Sequence, residues 1–166
     1  MNKKIIIGTV LMILLVGMLS GCVSDNNNKD TTIPEPIYQD DEFLGWLFDT
    51  NENLMWYTNK KIDVLETESW FLSEYYEEAE ENLIENTYIP QCRAFVLSYS
   101  YDVIRDEFYE YLEDRSWAAF YGKWAAIDLQ SGDVSGAIDN WDDSNDFLRK
   151  AIVHLDTCTN LISNLI

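Results

Sequence analysis

Three kinds of side chain in this 166-residue chain carry enough chemistry to found a site: one histidine, thirty carboxylates and an arginine on an otherwise apolar helical seam. His154 is the only histidine. No two-histidine metal site, haem pair or Ser-His-Asp triad can therefore be assembled within one chain, and the flank of a helix seam is its expected place. The Glu-x-x-His spacing of di-iron helical bundles is missing, because Ala151 stands three residues before His154. There is no Cys-x-x-Cys, no glycine-rich phosphate loop and no Gly-x-Ser-x-Gly elbow. Glu74, Glu77, Glu78, Glu81 and Glu85 share one helical face, and Asp139, Asp142, Asp143 and Asp146 cluster on another. Either group attracts calcium in principle, but Phe147 stands where the sharp glycine of a calcium loop would fall if Asp142 were first. Both groups are expected to be solvated faces. The chemistry thus implies no metal, no cofactor and no enzyme.

Arg115 and Asn145 are different, since they interrupt apolar seams near Thr58, Met55, Gly122 and Trp141. A buried guanidinium has to be paired, and Asp142 or Asp146, one turn along, are the expected partners. Such a layer serves either as a register device or as the polar floor of a small cavity. In the second case Arg115, Asn145, Thr58 and Trp141 would receive an anionic or amphipathic ligand. Six Trp, ten Tyr and seven Phe offer further rings for a pocket, although wide core seams are their expected use.

Helices must position these groups. From Asp40 onward Pro90 is the only proline and glycines are sparse, which predicts an all-α domain over residues 40–166. Asn86 to Pro90 and Gln130 to Asp133 are the expected breaks, with Pro90 opening a helix, Gly132 ending one and Asp133 capping the next. That gives three long helices near 40–87, 90–130 and 133–166. The first allows a bend or break near Thr58 or between Thr67 and Ser69, and carries Leu44, Leu47, Leu54 and Ile62, then Leu72, Tyr76, Ala79 and Leu83, on its seam. The second repeats through Leu97, Tyr101, Ile104, Phe108, Tyr111, Arg115, Ala118, Gly122 and Ala125, and the third through Val134, Ile138, Trp141, Asn145, Leu148, Ile152, Leu155 and Ile162. Alternating steps of three and four are the bundle pattern, here an antiparallel up-down-up bundle. Folding back about Gly132 pairs residues whose numbers sum to about 263, which sets Gly122 opposite Trp141 and Ala118 opposite Asn145. The same register puts Cys92 and Cys158 roughly 20 Å apart, so free, buried thiols are expected.

Residues 1–21 form a different unit. Lys3 and Lys4 precede an apolar run from Ile5 to Met18, closed by Leu19-Ser20-Gly21-Cys22. That tetrapeptide resembles the lipobox of prokaryotic lipoproteins. The resemblance covers only the signal region. It implies cleavage before Cys22, a diacylglycerol on that cysteine and a place on the outer face of the cell membrane. Residues 22–39 read as a flexible linker with a reach of roughly 20–25 Å. Cleavage removes Lys3 and Lys4 and takes the formal charge from −19 to −21. Such acidity argues against a nucleic-acid partner and against lying flat on anionic lipid, so the tether is the expected membrane contact. The leading functional expectation is a tethered interaction or scaffold module for an envelope protein, with heptads that also permit a homo-oligomer. The competing one is a small-molecule or sensory lipoprotein built around Arg115.

Overall fold

The computed structural model describes residues 36–66 and 70–165. The signal region, Cys22 and most of the expected linker lie outside the described residues. Those described form helices and no strand: α1 (Asp40–Glu66), α2 (Trp70–Leu83), a π-helical turn (Ile84–Tyr88), α3 (Ile89–Ala94), α4 (Tyr99–Ser131) and α5 (Val134–Ser163). No described helix is long and apolar enough to cross a membrane.

The expected stop at Asn86 to Pro90 is not a stop. Leu83, Tyr88 and Ile89 all hold right-handed helical angles, and the Ile89 N–H donates to the Ile84 carbonyl, so Trp70–Ala94 is one continuous rod. Proline inside a regular α-helix loses a hydrogen bond and collides with the carbonyl four residues back. A π turn lengthens the hydrogen-bonded loop by one residue and shifts those carbonyls, which admits Pro90 in the first turn of α3. The chain reverses instead at Phe95 to Ser98, where both residues turn to extended backbone, with ψ of 135° and 160°. At the other expected weak point α1 runs unbroken through Thr58 and ends at Glu66, and α2 begins at Trp70. Residues 67–69, the alternative break, lie outside the described residues. Four rods therefore replace the expected three.

Each rod runs antiparallel to the next. Trp46 Nε1 donates to Gln91 Oε1 at 2.9 Å and Asn53 Nδ2 to the Tyr88 hydroxyl at 2.6 Å, which joins α1 to the second rod. Lys123 reaches Glu81 at 2.6 Å and Gln130 reaches Glu74 at 3.1 Å, which joins α2 to α4. The loop at Phe95 to Ser98 is pinned to the start of α1. Gln39 N–H donates to Val96 O at 2.9 Å, and the Asp40 carboxylate accepts from the Ser98 N–H and hydroxyl at 2.9 and 2.7 Å. The starts of α1 and α4 thus share one end of the bundle.

The α4–α5 turn follows its sequence signal. Gly132 is left-handed (φ +87°) and its N–H meets the carbonyls of Asp128 and Leu129, while Asp133 Oδ1 accepts from the Gly136 N–H at 3.0 Å. Ser144 donates to Ala118 O at 2.8 Å and the Cys158 thiol to Ile104 O at 3.6 Å, so facing numbers sum to 262. The rotation of α5 is not as expected. Its buried stripe is Ala137, Ser144, Ala151 and Cys158, seven residues apart, whereas Val134, Ile138 and Ile152 are exposed. Small side chains let two helix backbones approach closely, and buried Ala118 and Ala125, also seven residues apart, answer them from α4.

Moving the chain reversal to Phe95 also moves Cys92. Its thiol faces Arg105 O at 3.8 Å while Cys158 faces the adjacent Ile104 O, so the two cysteines lie at one level of α4 and not 20 Å apart. Both are free and buried, and burial pushes each thiol up to about 12. We expect native protein to react with a thiol reagent at least about 100-fold more slowly than denaturant-unfolded protein at these two positions. Stopped-flow absorbance with an aromatic disulfide reagent reads both rates, and equal rates would contradict the buried placement.

Candidate functional site, a buried ionic layer

Across the middle of the bundle three rods contribute one charged layer. Lys61 lies on the inward stripe of α1, seven residues after buried Leu54 and fourteen after buried Leu47. Glu77 and Glu80 lie on α2 between buried Ser73 and Ile84, at steps of four, three and four. Arg115 comes from α4 and is 5 % exposed. Arg115 Nε donates to Glu80 Oε1 at 2.9 Å, and its Nη2 donates to the same oxygen, to Leu54 O at 3.0 Å and to Thr58 Oγ1 at 3.1 Å. Lys61 Nζ bridges Glu77 and Glu80 at 2.8 Å each. Two cations thus face two carboxylates.

Gly122 makes this arrangement fit. A β-carbon there would come within 2.6 Å of Glu77 Oε1, so the missing side chain is the space the carboxylate occupies. The expected partner of Gly122, Trp141, is partly exposed.

The electrostatics follow from burial set against pairing. Burial pushes the Glu77 carboxyl up to about 7, helped by the charge of Glu80 and opposed by Lys61. Burial acts in the same sense on Glu80, but Arg115 and Lys61 together outweigh it and hold that carboxyl below the usual range. For Lys61 and Arg115 burial disfavours the charged form, and the neighbouring carboxylates more than compensate, so both stay protonated. Among the described residues no buried side-chain nitrogen or oxygen lacks a partner.

Arg115 and Thr58 come together as the sequence predicts. Asn145 and Trp141 do not join them: Asn145 Nδ2 donates back to Trp141 O at 2.9 Å on α5. The pairing of Arg115 with Asp142 or Asp146 is corrected to Glu80, and Asp146 pairs with Arg149. Glu77, expected on a solvated face, is buried, because the inward stripe of α2 is Ser73–Glu77–Glu80–Ile84 and not Leu72–Tyr76–Ala79–Leu83. A signal for it existed. Lys61 falls on the Leu54 stripe and the two glutamates keep bundle spacing, but a seam traced through apolar residues passes over both.

His154 takes its expected flank, half-buried with Nδ1 2.8 Å from Glu107 Oε2 and Nε2 3.8 Å from Asp114 Oδ2. No three His, Cys, Asp or Glu side chains among the described residues are grouped to hold a metal. No family model, curated protein or solved structure matches the chain. Fold and layer define the class: an all-α helical bundle with an ionic interior.

Two outcomes test the layer. Arg115→Met should cost about 3–5 kcal/mol in denaturant unfolding because it strips Glu80 of its main partner, and Arg115→Met with Glu80→Leu should recover a large part of that. Additive losses would contradict the pairing. Glu77 has its folded pKa raised above the ordinary 4.5 to about 7. Between those values the folded chain holds the extra proton, so this group lowers stability as pH rises through the window. Glu77→Gln stays neutral there. Its melting temperature relative to the parent should therefore climb from pH 4.5 to 7 and level off above, and a difference independent of pH would contradict the raised value.

Proposed function

We propose that the protein is a lipid-tethered helical interaction module on the outer face of the cell membrane, held by Cys22 and engaging another envelope protein. The observation that carries this reading is the surface around α5, where apolar side chains stay unburied on both flanks although the interior is fully paired. On one flank Trp117 and Trp124, both partly exposed, belong to a continuous set of rings with Phe120, Tyr121 and Phe147, the last two stacked at 5.7 Å and 11°. On the other flank stand Val134, Ile138, Trp141 and Ile152. Exposed rings and aliphatic side chains grouped in this way suit a protein contact. The competing reading, a ligand on Arg115, has less support, since the guanidinium Nε and Nη2 are taken up by Glu80, Leu54 and Thr58. The acidic surface also speaks against nucleic acid as the partner.

Crosslinking of the lipidated chain in intact cells, followed by mass spectrometry, tests the proposal. We expect repeated capture of one envelope protein, lost when Cys22→Ser releases the chain from the membrane fraction. Capture of copies of itself alone would replace the module with a homo-oligomer, and no capture from a membrane-bound chain would overturn it.

A further inference from the structure

Helix α5 packs closely on α4, as α2 does, yet α1 and α5 barely approach each other. Near the start of α1, Leu44 is buried in the same apolar cluster as Ile162 of α5, with Leu155 and Leu161 packed against that cluster. Met55 and Ile62 lie eleven and eighteen residues after Leu44, on the same side of α1 by helical geometry. Trp141 and Leu148 lie fourteen and seven residues before Leu155, on the same side of α5. Farther along, Met55 and Ile62 are exposed on α1, and on α5 Leu148 is half-buried while Trp141 is exposed, as are Ile138 (56 %) and Ile152 (57 %), one turn from Trp141 and Leu148 respectively. Helix geometry thus lays the two stripes along one apolar groove toward the end of the bundle opposite Asp40.

We propose that this groove receives one amphipathic helix of a partner protein, with an apolar stripe flanked by lysines or arginines. The inference rests on the tethered-module reading and names the partner's chemistry. The missing element is helix-shaped: α1 and α5 present steps of seven residues on two facing sides, and a further helix laid between them would complete the packing. Charge selects its flanks. Glu52 on α1 and Asp142 and Asp156 on α5 border the groove and are exposed, and Arg149 between the two aspartates is paired with Asp146, on a chain of formal charge −19. A second copy would bring the same acidic borders and meet repulsion, whereas a basic helix meets attraction at both edges.

The test uses the full lipidated chain in phosphatidylcholine nanodiscs, with empty discs as the blank. The probe is a fluorescent peptide of about 18 residues that carries a leucine stripe flanked by lysines, compared with a twin in which glutamate replaces every lysine. Anisotropy should show saturable binding of the lysine peptide and at least about tenfold weaker binding of the twin. Ile138→Glu and Ile152→Glu should each weaken the lysine peptide at least about tenfold while circular dichroism and melting stay unchanged. Both substitutions add negative charge, so mere attraction to an acidic surface would strengthen binding. Trp124→Ala, on the other flank, should leave it unchanged. Equal binding of the two peptides, or undiminished binding by both groove variants, overturns the proposal. So does a dimer of the detergent-solubilised chain that Ile138→Glu dissolves, since the occupant is then a second copy. Capture of an envelope protein in cells that both groove variants leave intact overturns the groove and spares the tethered module. Groove-dependent peptide binding without any capture in cells does the reverse.

Discussion

The desolvation of four charges governs this bundle. Lys61, Glu77, Glu80 and Arg115 lie at the meeting of α1, α2 and α4, where a single unpaired member would cost several kcal/mol. Pairing them requires the three rods to be aligned to within a fraction of a turn, because a carboxylate displaced by one residue rotates about 100° away from its partner. Apolar seams tolerate sliding and repacking far better. The ionic layer therefore fixes the register that the hydrophobic stripes leave loose, and Gly122 records the same constraint as a vacated side chain.

Two local devices bring the rods into that alignment. The π turn at Ile84–Tyr88 carries the second rod past Pro90 and delays the reversal to Phe95 to Ser98. It also inserts one residue of phase, which keeps Ile84 and Tyr88 buried on the face that continues from Glu77 and Glu80. At the far end Gly132 and Asp133 turn the chain tightly enough for the small stripe of α5 to close on α4. The closeness of that pair fixes the face that α5 turns to α4 and leaves Val134, Ile138 and Ile152 at the surface.

The cores at the two ends differ accordingly. Near Asp40, Phe43, Leu47, Ile104, Phe108 and Cys158 form a conventional apolar cluster, with Trp46 and Phe95 packed against it. Toward Gly132 the interior of α4 is Ala118, Ala119, Gly122, Ala125 and Ala126, with little volume to hold a fourth rod. Large apolar residues of α5 that a thicker core would have absorbed stay at the surface there. Function and packing meet in that asymmetry, since the surface proposed for recognition is what close helix pairing leaves uncovered.

The sequence by itself determined the helical class, the turn at Gly132 and Asp133, the antiparallel register of α4 and α5 and the inward placement of Arg115. These depend on local signals: proline and glycine spacing, a cap within three residues, and one seam with a cation on it. Only the tertiary structure decided the partner of Arg115, the burial of Glu77, the level shared by Cys92 and Cys158, and the face that α5 turns to its neighbour. The reason is physical. Periodicity identifies which residues share a stripe but not which stripe wins a neighbour, and a glutamate on a helix reads as solvated until another helix places a cation against it. Proline likewise reads as a stop until a π turn absorbs it. Between the two lies the apolar stripe of α5, plain in the sequence as a seam and given its outward place by the small residues beside it.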